Sequence, residues 1–525
     1  MQHSVPPSFA ADKTRFRVIA SLLAIWVSWG VLNWVWIKPR KLEKRLREQG
    51  LAGNPYRILY GDLKESLALL KEANSKPMAF SHDIGARVLP SISNAIQNHG
   101  KNSYVWLGPY PRVNIMDPEQ LNATFSLIND IQKPDMNPFF KFLLEGIITH
   151  EGEKWAKHRK IINPAFHLDK LKNMVPVFVD SSNEIVSEWE RIVPEEEGCC
   201  ELDVMPYLQS LTRDAISRAA FGSSYKEGQM IFQLLKQLTD WVVKVAGGIY
   251  IPGWRFLPTK SNKKMKEINR EIKRMVLSII NKRKMAMKEG EAVQNDLLGI
   301  LLDSNAKEIE AQGNNKHVGM SIEDIINECK IFYIAGQETT EQLLTWTMIL
   351  LSFHTEWQER ARAEVREVFG NNNPDSDGLP RLKVVNMILH EVLRLYPPAS
   401  TLNRMVKKET RVGNLSLPAG VMLIAPVVLI HRDREIWGED ANEFKPERFS
   451  KGVSKASKLQ PAFFPFGWGP RTCMGQDLAI HEAKVAMSLI LQRFSFELSP
   501  SYAHAPTLLM TTQPQHGAHI ILRKL

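Results

Sequence analysis

The sequence predicts a mainly α-helical fold with a small β region, carried behind one N-terminal membrane-spanning helix. Three observations predict it. Stretches with apolar residues at helical spacing recur along the chain, chiefly 321–354, 379–396 and 474–494. Valine- and leucine-rich runs broken by Gly413-Asn414 and Pro418-Ala419-Gly420 are concentrated in 402–430, where they read as strands and turns. Residues 18–37 form a run of twenty without a charge.

As a helix, that run reaches about 30 Å, the thickness of a bilayer's hydrocarbon core. Trp26, Trp29, Trp34 and Trp36 suit a membrane interface, and Lys38, Arg40, Lys41, Lys44, Arg45 and Arg47 follow at once, against only Lys13, Arg15 and Arg17 before it. The excess of cations on the C-terminal side places the bulk of the protein in the cytosol. A cleaved signal peptide fits less well, because the run is long and no small-residue cleavage site follows. The expected organisation is an N-terminal segment 1–37 with the anchor, a basic hinge 38–60, and one large unit 61–525. No repeat, low-complexity block or long linker divides the rest of the 525 residues, and 44% hydrophobic content is enough for a large core.

The four cysteines are Cys199, Cys200, Cys329 and Cys473, which is no disulfide framework and agrees with a reducing compartment. The net charge of +10 suits an anionic membrane surface or an acidic protein partner. No nucleic-acid motif accompanies it. Nor is there a GxGxxG or a GxxxxGK[ST], so nothing points to a nucleotide bound by this chain, and any electrons it uses come from elsewhere.

Within 321–354, Ser321-Ile322-Glu323-Asp324 reads as a capping box. Gly336, in Ala335-Gly336-Gln337-Glu338-Thr339-Thr340, is a mid-helix glycine costing about 1 kcal/mol against alanine, so it calls for a reason. A threonine hydroxyl can bond back to the preceding turn and bend the helix there. Glu338 and Thr339 set an acid beside an alcohol, the pair a proton relay needs. Glu391 and Arg394 stand at i and i+3 between apolar neighbours, which predicts a buried pair. Trp155 and Arg159 share a helix face at i and i+4.

The decapeptide 466–475 reads FxxGxRxCxG, and its five fixed positions recur by chance in on the order of one in ten thousand chains of this length. A cysteine just before a helix N-terminus is placed to be held as a thiolate, the form that binds iron and, on haem, favours O–O cleavage. Phe466 would shield the sulfur of Cys473, and Arg471 would reach an anionic group such as a haem propionate.

With these motifs the chain resembles the cytochrome P450 superfamily of haem-thiolate monooxygenases. AGQETT matches its oxygen-activation motif, ExxR its structural pair, and 444–449 (FKPERF) its PERF segment, whose Arg448 joins Glu391 and Arg394. The resemblance implies the P450 fold, haem b held by Cys473, and propionate contacts from Trp155, Arg159, Arg404 and, more weakly, His431. It also implies proton delivery by Glu338 and Thr339. The strings GNPYR (53–57), ITHEGEKWAKHRKIINPAFH (148–167), IPGWRFLPTK (251–260) and FELSPSYAHAPT (496–507) are similar to the plant 72A family. A lone Pro39 stands where microsomal members commonly carry a proline-rich run.

That family implies NADPH- and O2-dependent hydroxylation or further oxidation of an iridoid, triterpenoid or gibberellin-type terpenoid. The substrate would lie among residues 332–335, 137–144, 401–403 and 509–512. The implied partners are an NADPH-cytochrome P450 reductase, the terpenoid, O2 and membrane lipid, without nucleic acid, on the endoplasmic reticulum membrane. The competing readings are a sister plant family acting on brassinosteroid or cytokinin, and a haem-thiolate isomerase or dehydratase that would need no acid-alcohol pair.

Overall fold

The computed structural model describes residues 7–195, 198–222, 225–246, 250, 253–290, 296–313, 315 and 317–525. Residues 1–6 of the N-terminal segment and Ile251-Pro252 of the 251–260 string lie outside the described residues.

The N-terminal helix runs Pro7–Leu32, passes through a π-helical turn at Asn33–Ile37, and continues as Lys38–Glu48. Its apolar window is wholly exposed, as a span facing lipid would be. The helix does not stop where the uncharged run stops. Lys and Arg are good helix formers, and Pro39 is tolerated where the new helical segment begins. Pro39 has no N–H to give the turn before it, and the carbonyl of Val35 in that turn instead accepts the Tyr56 hydroxyl at 2.6 Å. Trp34 also donates its indole N–H to the Tyr110 hydroxyl at 3.3 Å. Pro39, Leu42, Glu43 and Leu46 are buried on one face. The first half of the expected hinge is therefore a docked helix.

At the centre of the molecule lies the helix Ile322–Phe353, 32 residues long. The capping box is present, Ser321 accepting from the Asp324 N–H and Asp324 accepting from Ser321. Around this helix pack Met205–Phe221, Lys383–Leu395 and Gln476–Arg493. The mid-helix glycine has a steric reason. A Cβ at Gly336 would stand 2.5 Å from Ile216 Cδ1 of the crossing helix Met205–Phe221, so any larger residue requires Ile216 to shift.

The expected helix 379–396 is shorter in the structure. Pro380 belongs to a 3-10 turn Leu379–Arg381, Leu382 breaks the path with ψ 86°, and the α-helix is Lys383–Leu395. The β region is more dispersed than expected. Leu402–Val406 and Met422–Ala425 pair antiparallel inside a six-stranded sheet that also takes Ala52–Gly53, Ser103–Leu107, Tyr110–Asn114 and Ile131–Gln132. Phe494–Leu498, His519–Lys524 and Cys199–Asp203 make a second sheet, and Pro506–Leu508 with Thr512–Pro514 a hairpin. Val427–Ile430, expected to be extended, is a helical turn.

Glu391 and Arg394 form the buried pair that the sequence predicts. Arg394 Nε and Nη2 each donate to the carboxylate at 2.7 Å, and both residues are fully buried. The rest of the guanidinium donates to the carbonyls of His431, Ala441 and Glu443. Arg448 lies 3.5 Å from Glu391 and pairs with Asp440 at 2.8 Å.

Candidate active site

The loop 466–475 is folded by its own backbone. Cys473 N–H donates to the Phe466 carbonyl at 2.8 Å and Thr472 N–H to the Gly469 carbonyl at 3.0 Å. Gly469 has φ +72°, and a Cβ there would meet the Phe125 carbonyl at 2.8 Å, so both conformation and space require glycine. The helix Gln476–Arg493 follows with Gly475 as its N-cap, leaving Cys473 just before a helix N-terminus as expected.

Cys473 is accessible, yet burial pushes its thiol up. The Gly475 N–H and the charges of Arg159 and Lys133 pull the thiol down, but desolvation wins. A coordinating metal deprotonates a thiol outright, so the helix terminus and a bound iron act in the same direction.

Trp155 and Arg159 share the helix Gly152–Ile162. Arg159 Nη1 donates to the Thr472 carbonyl at 2.8 Å, beside the cysteine. Arg471 donates to the His150 carbonyl at 2.7 Å, pairs with the Glu151 carboxylate, and lies 4.2 Å over the Trp155 ring. Arg404 lies 5.0 Å over the Phe125 ring and is depressed to about 10 by burial and by the charge of Arg471. Lys133, which no motif in the sequence marks, is driven down to about 7 by burial and by Arg404 and Arg471. Three cations thus converge, with Glu151 as the carboxylate beside all of them. A further anion would relieve their repulsion. The donor set and the accessible sulfur fit a haem, whose iron takes the thiolate and whose propionates take the cations.

His431 does not join this group. Its ring is fully buried, Nδ1 donating to the Arg394 carbonyl at 3.1 Å and Nε2 accepting from the Phe464 N–H at 3.2 Å. Burial holds it near 3 and neutral, so no ring nitrogen is left for a propionate. The propionate reading of His431 is corrected: it belongs to the Glu391–Arg394 lock.

On the central helix, residues 334–339 are accessible while the stretches on either side are buried. Phe332 packs edge-on against Phe166 and Tyr333 stacks on Phe221, which moves the start of the expected pocket lining from 332 to Ile334. Phe166 also lies 3.8 Å from where a Gly475 Cβ would stand, so one ring borders both the sulfur loop and the helix. Thr339 Oγ1 donates to the Ala335 carbonyl at 2.7 Å, the back-bond expected from the sequence. Glu338 accepts from the Thr511 hydroxyl at 2.9 Å, and burial pushes its carboxyl up.

A model of the cytochrome P450 family matches residues 85–519. The chain belongs to the cytochrome P450 family. Among this P450's relatives, cytochrome P450 CYP72A219 of Panax ginseng is 56% identical over 507 residues, covering 96% of this chain and 98% of its own. Cytochrome P450 72A13 of Arabidopsis thaliana is 52% identical, covering 97% and 98%. Secologanin synthase 1 of Catharanthus roseus is 51% identical over 518 residues, covering 98% and 99%. The P450 is thus a haem b monooxygenase of the plant 72A family, using O2, a redox partner and a hydrophobic substrate.

Proposed function

We propose that this P450 hydroxylates or further oxidises a terpenoid in plant metabolism, with electrons from an NADPH-cytochrome P450 reductase. The single observation that carries the substrate class is the 51% identity, along almost the whole chain, to a relative whose name is secologanin synthase.

Haem b held by a thiolate would supply the activation of O2. The chain's part is to bind, orient and move protons. Cys473 would hold the iron through Sγ, and its loop is held rigid by the Phe466 carbonyl and by Arg159 on the Thr472 carbonyl. Lys133, Arg404 and Arg471 would neutralise the propionates, with Trp155 as the face on which Arg471 rests. Thr339, its hydroxyl donating back to the Ala335 carbonyl, keeps its oxygen free to accept, and Glu338 one residue earlier is the acid that hands on protons. Glu391, Arg394 and Arg448 hold the fold and take no part in the chemistry.

The Arg15–Glu48 helix anchors the enzyme in the endoplasmic reticulum membrane, with the catalytic body on the cytosolic side where the cations of 38–47 lie. Product analysis of the full-length enzyme with a plant reductase and a panel of iridoids, triterpenoids and gibberellin-type diterpenoids tests the reading. Turnover of at least one is expected. Turnover of brassinosteroids or cytokinins alone would overturn it.

A further inference from the structure

Thr511 lies in the turn of the Pro506–Leu508/Thr512–Pro514 hairpin, 173 residues from the carboxyl it touches. Among the described residues, it is the hydrogen-bond partner that Glu338 has. Its mount is rigid. Thr512 N–H donates to the Pro398 carbonyl at 3.0 Å, and the Thr512 carbonyl accepts the Trp346 indole N–H at 3.0 Å. Trp346 is fully buried, stacked 4.1 Å from the Tyr396 ring, and stands on the same central helix as Glu338 about two turns further on. The helix therefore both presents the acid and pins the hairpin that holds it.

The chemistry of the partner matters. A lysine or arginine there would fix Glu338 as a carboxylate, and an apolar side chain would leave the carboxyl without direction. A hydroxyl does neither. It donates to a carboxylate, and by rotating its proton it accepts from a carboxylic acid, so the same contact survives when the acid is loaded and when it is discharged.

We propose that Thr511 is the positioning residue of the proton relay, its hydroxyl holding the Glu338 carboxyl in place as that group gains and loses a proton. The proposal rests on Glu338 acting as the relay acid, as put forward above.

The test uses full-length holoenzyme in phospholipid nanodiscs, each variant first shown to retain its reduced carbon monoxide spectrum. Infrared titration identifies the protonated Glu338 carboxyl as the band lost in Glu338→Gln. Thr511→Val is expected to raise the apparent pKa of that band by about 0.7 unit, a fivefold change, because one hydrogen bond to the carboxylate is lost. With NADPH, a plant reductase and no added terpenoid, the same variant is expected to raise the ratio of peroxide released to NADPH consumed. Thr511→Ser restores both. An unmoved band in Thr511→Val, or a Thr511→Ser that behaves like the valine variant, overturns the role of Thr511 while leaving Glu338 in the relay. If Glu338→Gln itself leaves the peroxide ratio at the wild-type value, the relay falls and the role of Thr511 falls with it.

Discussion

Glu391 and Glu338 are both carboxyl groups inside the same molecule, and they are held in opposite ways. Glu391 receives two charge-assisted bonds from Arg394 and a third from the Lys445 N–H, with Arg448 at 3.5 Å. Both carboxylate oxygens accept hydrogen bonds, two of them from a guanidinium, so the group is held in one place. Glu338 receives one neutral bond from Thr511 and is pushed up by desolvation. Burial alone does not decide what a carboxyl does. The count and charge of its partners separate a lock from a group that can exchange protons.

Four experiments break or sharpen that contrast. Cys473→Ala is expected to abolish turnover and the reduced carbon monoxide signature of thiolate ligation, while the Glu391–Arg394 lock, which does not touch the sulfur, keeps the chain folded by far-ultraviolet circular dichroism. Arg394→Ala attacks the lock itself. It leaves Glu391 buried without its partner and is expected to cost about 3–5 kcal/mol in urea denaturation, with loss of haem on purification. Thr339→Ala leaves stability and haem content near wild type. Its expected effect is to divert electrons to peroxide, read as about a tenfold fall in product formed per NADPH consumed, a modest part of what general acid catalysis supplies.

Glu338→Gln gives the smallest effect and the most specific sign. Below the ordinary glutamate pKa of about 4.3 the carboxyl is protonated both folded and unfolded, and burial costs nothing extra. Because the folded value is raised, wild type loses stability as pH climbs from there through that raised value. Glutamine has no such loss and can still accept from Thr511. The stability of Glu338→Gln relative to wild type is therefore expected to grow with pH across that window. Chemical denaturation at several pH values reads it; a difference that does not change with pH would overturn the effect of burial on Glu338, and one that shrinks as pH rises would mark it as a stabilised carboxylate.

What the sequence made legible was local. The cysteine loop, the capping box, the back-bonded threonine and the Glu391–Arg394 pair are all specified by residues within a few positions of one another, and each appears in the fold as expected. Partners brought in from afar were not legible. Thr511 carries no spacing relation to Glu338, and Lys133 sits in no motif, although it shares the cation cluster with Arg404 and Arg471. His431 misled for the same reason. The resemblance offered its ring to a propionate, and only the fold shows that the backbones of Arg394 and Phe464 occupy both its nitrogens. The N-terminal helix runs past the uncharged stretch because charge marks where a helix leaves lipid, not where it stops being a helix.

That last point reaches beyond the helix. Its carbonyl at Val35 is clamped by Tyr56, its indole at Trp34 by Tyr110, and its buried face at Leu42 and Leu46 by the body of the protein. A rod gripped in this way is a lever arm. A thinner or thicker bilayer that tilted such a span to match its apolar length would carry the body of the enzyme round with it.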